Sequence, residues 1–230
     1  MNYFKIAVVF IALISGINKI CSQNEVRTLE RTTSYILGHN IYLELDYVDV
    51  VNVRYWKKDS IKLVASVDLT GEKGLTKNDD FELQITNANG KHNLLGKVLN
   101  QTAHYVYKKD ASDYKPQGAY KEKVLIVGTQ IELFIPMNAN LETKVVGMGD
   151  IEIDHNGANL LASTIGNITL KIDKAVNADI NIHSQFGGVE MDERLNIIES
   201  QLDEIYKLNK GGDILISFSA FGTITILPKN

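Results

Sequence analysis

Cysteine is almost missing from this 230-residue chain, where Cys21 stands alone. Loss of the first 22 residues would leave no thiol at all. A chain without cysteine has no disulfide, no thiol nucleophile and no thiolate metal site, so core packing alone must hold it. Histidines 39, 92, 104, 155 and 183 are isolated in sequence, with no His-x-His or His-Glu-x-x-His pair to found a metal centre. There is no Gly-x-Ser-x-Gly elbow. Gly147-Met148-Gly149 is followed by Glu152 where a dinucleotide fingerprint needs glycine, and Gly71-Glu72-Lys73-Gly74 makes no phosphate loop. Basic stripes are also lacking, and the net charge is −4. That argues against nucleic acid as a partner, because nothing is placed to neutralise phosphates. Helical periodicity is scarce as well.

What is present begins with an export signal. Lys5 and the free amine make a positive start, and Ile6 to Ile14 form an unbroken apolar run. The run is too short to span a bilayer and has the length of a signal-peptide core. Cleavage after Ser22 would expose Gln23. Acylation at Cys21 is the alternative, although Ile20 stands where a lipoprotein signal has a small residue. Removing residues 1–22 takes away two lysines and no acid, which leaves 22 basic against 28 acidic residues. The expected address is therefore periplasm, cell surface or medium, with no transmembrane span after signal removal.

Alternation of apolar and polar residues dominates the rest. It runs through Ile41–Leu45, Val48–Val53 and Ile61–Val67, with a polar turn at 56–60. Phe81–Ile85 alternates again and ends at Asn89-Gly90, a type I′ hairpin dipeptide, after which Leu94–Leu99 would return. Residues 108–123 read as a long loop, and strands follow at 124–127 and 131–136. Residues 23–135 thus form an N-terminal β region.

From residue 136 onward a motif recurs four times: Gly149-Asp150-Ile151-Glu152-Ile153, Gly166-Asn167-Ile168-Thr169-Leu170, Gly188-Val189-Glu190-Met191 and Gly222-Thr223-Ile224-Thr225-Ile226. Turn-then-strand starts lead into Leu141, Leu160 and Ile180. Short strands at a recurring interval predict stacked coils, each too small to bury its own apolar face. The expectation is an all-β chain whose N-terminal β region continues into a short β-solenoid of about four coils over 136–230. Ile151/Ile153, Ile168/Leu170/Ile172, Ile180/Ile182 and Ile214/Ile216/Phe218 would form the inner ladders. The recurring glycines are expected where φ > 0 is needed. Residues 192–211 interrupt the interval, and either a short helix or two strands fits them.

The stretches 131–153, 161–170 and 208–226 resemble the DUF4097-type family of adhesin-like bacterial proteins, through Met148-Gly149-Asp150-Ile151, Ile165-Gly166-Asn167-Ile168 and Phe221-Gly222-Thr223-Ile224. That resemblance implies an exported β-solenoid of Bacteroidetes type and no catalytic residues. Gly187-Gly188-Val189 departs from the motif by lacking its polar residue.

Candidate chemistry is thin. Asp150, Glu152 and Asp154 fall on one face of one strand, where they would either bind Ca²⁺, supply a glycosidase-like pair, or form a solvated outer face. Glu190 and Asp192 make a second acidic pair. Residues 152–163 fail as an EF-hand because the twelfth position is Ser163. Gly187–Asp192 lacks the third glycine of a calcium nonapeptide. Tyr105, Tyr107, Tyr114 and Tyr120, among lysines, would stack on sugar rings or anchor a protein, or sit half-buried beside the loop. The expected function is a non-catalytic, adhesin-like binding module whose partner is an envelope protein or glycan, with no cofactor and no metal. A carbohydrate-active enzyme using the strand carboxylates, or an envelope scaffold, are the alternatives.

Overall fold

The computed structural model describes residues 23–71, 81–98, 125–199 and 205–229. Their strands in chain order are β1 (Gln23–Ser34), β2 (Asn40–Asp46), β3 (Val50–Trp56), β4 (Ser60–Gly71), β5 (Phe81–Ala88) and β6 (Lys91–Val98). Then come β7 (Leu125–Pro136), β8 (Leu141–Val146), β9 (Asp150–Asp154), β10 (Leu160–Thr164), β11 (Ile168–Ile172) and β12 (Ala178–Ser184). The last are β13 (Val189–Met191), β14 (Ile197–Glu199), β15 (Ile205–Leu208), β16 (Ile214–Ala220) and β17 (Ile224–Pro228).

Two sheets face each other. One runs β1-β4-β7-β3-β9-β11-β17-β13 and the other β14-β15-β12-β16-β10-β8-β2-β6-β5. Read together, they are a stack of rungs, each with one strand in each sheet: β6/β7, β2/β3, β8/β9, β10/β11, β16/β17 and β12/β13. Neighbouring rungs pair in parallel. The four sequence motifs are β9, β11, β13 and β17, all in the first sheet. The N-terminal region continues into the same stack through β2/β3 and β6/β7.

Spatial order departs from chain order at both ends. β6/β7 lies on the far side of β2/β3, and β16/β17 slots between β10/β11 and β12/β13. That insertion accounts for the broken motif interval. The chain leaves β13, makes the β14–β15 hairpin, and returns to fill an inner place. Residues 192–211 therefore contain two short antiparallel strands, and the two-strand alternative holds.

Alternation dictates the core. With period 2, every second residue points inward, and the register lines these residues up from rung to rung. In the first sheet Ile131, Val51, Ile151, Ile168 and Ile224 are one such row, followed by Leu133, Val53, Ile153, Leu170 and Ile226. All ten are essentially fully buried. The second sheet contributes His92, Ile41, Leu141, Leu160, Ile216 and Ile180. Each buried aliphatic side chain contributes about 1.5–3 kcal/mol.

Antiparallel strands flank the parallel stack. β4 and β1 lie outside β7, β5 outside β6, and β15 and β14 outside β12. Outermost β1 carries Arg27, Glu30 and Arg31, charges that discourage edge-to-edge pairing. The β5–β6 turn is the expected type I′, with φ of 53° at Asn89 and 72° at Gly90.

Candidate functional site

Three of the four recurring glycines serve a different purpose from the one expected, while Gly188 has open space around it. Gly149, Gly166 and Gly222 do not adopt positive φ. A Cβ on Gly166 would lie 2.5 Å from the carbonyl oxygen of Gly149, and Gly149, Gly222 and Gly187 press on the backbone of a neighbouring rung in the same way. They are glycine because successive turns touch. Positive φ falls instead at Gly147 and Gly157, beside and between the motifs.

Side-chain amides and carboxylates stitch those turns together. Asp150 Oδ1 accepts from Asn167 N at 2.8 Å and Asn167 Nδ2 at 3.0 Å. Asn167 Oδ1 in turn accepts from Thr223 N at 2.8 Å. At the opposite corner Asn140 Nδ2 donates to Asn40 Oδ1, Asn159 N donates to Asn140 Oδ1, and Leu215 N donates to Asn159 Oδ1. Four of these bonds satisfy a backbone N–H of the neighbouring rung.

The three acids of β9 do share the outer face, opposite buried Ile151 and Ile153. They do not converge on one point. Asp150 belongs to the turn ladder. Glu152 lies 3.6 Å from Lys171 Nζ, and Asp154 lies 2.8 Å from Lys229 Nζ. With Asn52 and Arg54 of β3 they line an open depression of about 360 Å³. The acid side chains are 52% and 53% exposed, so such pairs contribute no more than about 1 kcal/mol each. A glycosidase-like pair needs one carboxyl kept dry and protonated beside an ionised one. Here each acid faces a lysine in open solvent. Glu190 is exposed on β13, and Asp192 is held by Arg194, 2.6 Å away.

Two buried histidines were not recognised as structural from the sequence. His155 Nε2 donates to the carbonyl of Ala158 at 2.6 Å, and its Nδ1 accepts from Gly157 N at 3.2 Å. This fixes one neutral tautomer, and burial pushes the imidazole down to about 4. The Tyr55 ring meets it edge-on, 5.8 Å between centroids. His92 Nε2 accepts from Ile36 N at 3.1 Å. Burial, then the neighbouring His39, lower its pKa. His92 takes a ladder position beside Ile41, a register that the sequence alone does not reveal. The basic partners Arg54, Lys171 and Lys229 were likewise legible only once the register was known, since the 17-residue offset sets Lys171 beside Asp154.

Tyr105, Tyr107, Tyr114 and Tyr120 lie outside the described residues, as do residues 1–22. Among the described residues no three histidine, cysteine or acidic side chains cluster to hold a metal ion, and no helix is long and apolar enough to cross a membrane.

These features define a capped, parallel β-solenoid with ladders of polar side chains at its corners. The same fold occurs in a candidate cell adhesion protein from Clostridium sporogenes, with a TM-score of 0.53 at 14% identity over 88% of this chain and all of that one. A candidate adhesin from Parabacteroides distasonis matches at 12% identity over 87% of this chain and 65% of that one, with a TM-score of 0.27. One from Bacteroides fragilis matches at 9% identity over 87% and 97%, also with a TM-score of 0.27. No family model and no curated protein matches the sequence.

Proposed function

We propose that this protein is an exported, non-catalytic binding module of adhesin-like type, acting in the periplasm, at the cell surface or in the medium. One observation carries the reading. The acids able to do chemistry, Asp150, Glu152 and Asp154, are each engaged by a turn amide or a lysine on an open face. That face presents alternating cations, acids and amides, which suits polar contact with a glycan or an envelope protein better than bond cleavage. The motif resemblance to DUF4097-type adhesin-like proteins and the fold shared with the Clostridium sporogenes protein support the same class. Export is supported by the Lys5 start and the apolar run to Ile14.

Two measurements test it. Mass spectrometry of protein recovered from the envelope or medium is expected to give an N-terminus at Gln23. A lipid-modified Cys21 would move the cut, and an intact cytoplasmic Met1 would overturn export. A screen of the exported protein against glycans and envelope proteins is expected to give saturable binding weakened by Arg54→Ala with Lys171→Ala. Binding that ignores both changes would remove the depression from the account.

A further inference from the structure

Beyond the charged face, one corner of the stack carries an apolar stripe. The turns from the second sheet into the first, in five successive rungs, display Tyr47, Met148, Ile165, Phe221 and Phe186. These are 42%, 61%, 46%, 43% and 77% exposed. The opposite corner carries Asn140, Asn156, Asn159, Asp173, Lys174 and Asn177. We infer that the stripe is a self-association surface, on which a second copy of this chain packs antiparallel about a two-fold axis at Ile165.

The composition of the stripe selects that occupant. Rungs repeat at about 4.8 Å in every copy, so two antiparallel stripes mesh along their whole length. Ile165 is the middle rung of five. The two-fold axis therefore sets Ile165 against its own copy, Met148 against Phe221, and Tyr47 against Phe186. These are apolar, sulfur–aromatic and aromatic pairs, all of which pack favourably. The acids of this corner, Asp46, Asp49 and Asp150, all lie toward the Tyr47 end, and the antiparallel arrangement places them opposite the uncharged Phe186 end.

A glycan fits less well, because three polar side chains of this corner are already bonded within the fold. Thr164 Oγ1 donates to Gly149 O, Ser184 Oγ donates to Gly222 O, and Asp49 Oδ2 accepts from Thr129 N. An anionic membrane fits less well too, since these turns contain no lysine or arginine. Five large side chains exposed to this degree offer about 500 Å² per copy. A pair then buries roughly 1,000 Å², the lower bound for a specific interface, so the dimer is expected to be weak and reversible.

Sedimentation velocity of the exported protein over a concentration series tests this directly. The expected result is a monomer–dimer equilibrium that Ile165→Asp weakens at least ten-fold, with an unchanged circular dichroism spectrum and melting temperature. A mixture of Met148→Cys and Phe221→Cys proteins should form a disulfide-linked heterodimer under mild oxidation, whereas Val26→Cys, on an exposed edge strand, should not cross-link to itself. A monomer at every concentration, or a dimer indifferent to Ile165→Asp, would overturn the inference.

Discussion

Asn167 donates both its backbone N–H and its side-chain amide to one carboxylate oxygen of Asp150, in the neighbouring rung. An acid placed on a strand among other acids thus turns out to be a fastener. Asp150→Asn keeps an acceptor oxygen and should cost little. Asn167→Ala strands the Thr223 N–H and leaves Asp150 with the backbone N–H alone, and should cost about 1–3 kcal/mol. Urea denaturation of the two variants checks the contrast. A negligible loss in Asn167→Ala would show the ladder to be dispensable.

Gly166→Ala should destabilise the stack by about 1–3 kcal/mol through overpacking. Its Cβ would meet the carbonyl of Gly149, and backbone cannot yield without parting two rungs. Gly188→Ala meets nothing within 4 Å and should leave the melting temperature nearly unchanged.

Ile168→Asp would place an unpaired charge in a fully buried ladder, at a cost of several kcal/mol. Thr169→Asp, one residue on and facing outward, should cost under about 1 kcal/mol. Similar melting temperatures would invert the assignment of faces.

Acid should weaken the fold through His155. Its pKa is about 4 in the native protein against an ordinary 6.5, so between those values the unfolded chain binds more protons. Stability is then full above about pH 6.5 and falls by about 3 kcal/mol on the way to pH 4. His92 acts in the same direction. NMR titration should find the His155 ring neutral at pH 5, and His155→Leu should flatten the pH dependence of stability. A ring that titrates near 6.5 would contradict the assigned hydrogen bonds.

The strand pattern was legible because period-2 alternation is local. Ile151, Ile153, Ile168, Leu170, Ile180, Ile182, Ile216 and Phe218 could be assigned to the interior one strand at a time. Rung order was not, because a recurring interval gives residues per coil and says nothing about which coil touches which. Nothing in Gly222-Thr223-Ile224 reveals that β17 lies between β11 and β13. The ion pairs of Glu152 and Asp154 depend on that cross-rung register, so the sequence showed three neighbouring acids and concealed their lysines. The glycines were located correctly and explained wrongly: close approach between turns is a tertiary fact, whereas positive φ is a local one.

In the proposed function the charged face binds a partner and does not cleave it. Polysaccharide turnover by the purified protein, compared with Glu152→Gln and Asp154→Asn, is the decisive assay. No turnover is expected in any of the three, with both variants folded and close to wild type in stability, since each loses only a partly exposed ion pair. Turnover by the wild type that disappears in either variant would contradict it and make these carboxylates catalytic.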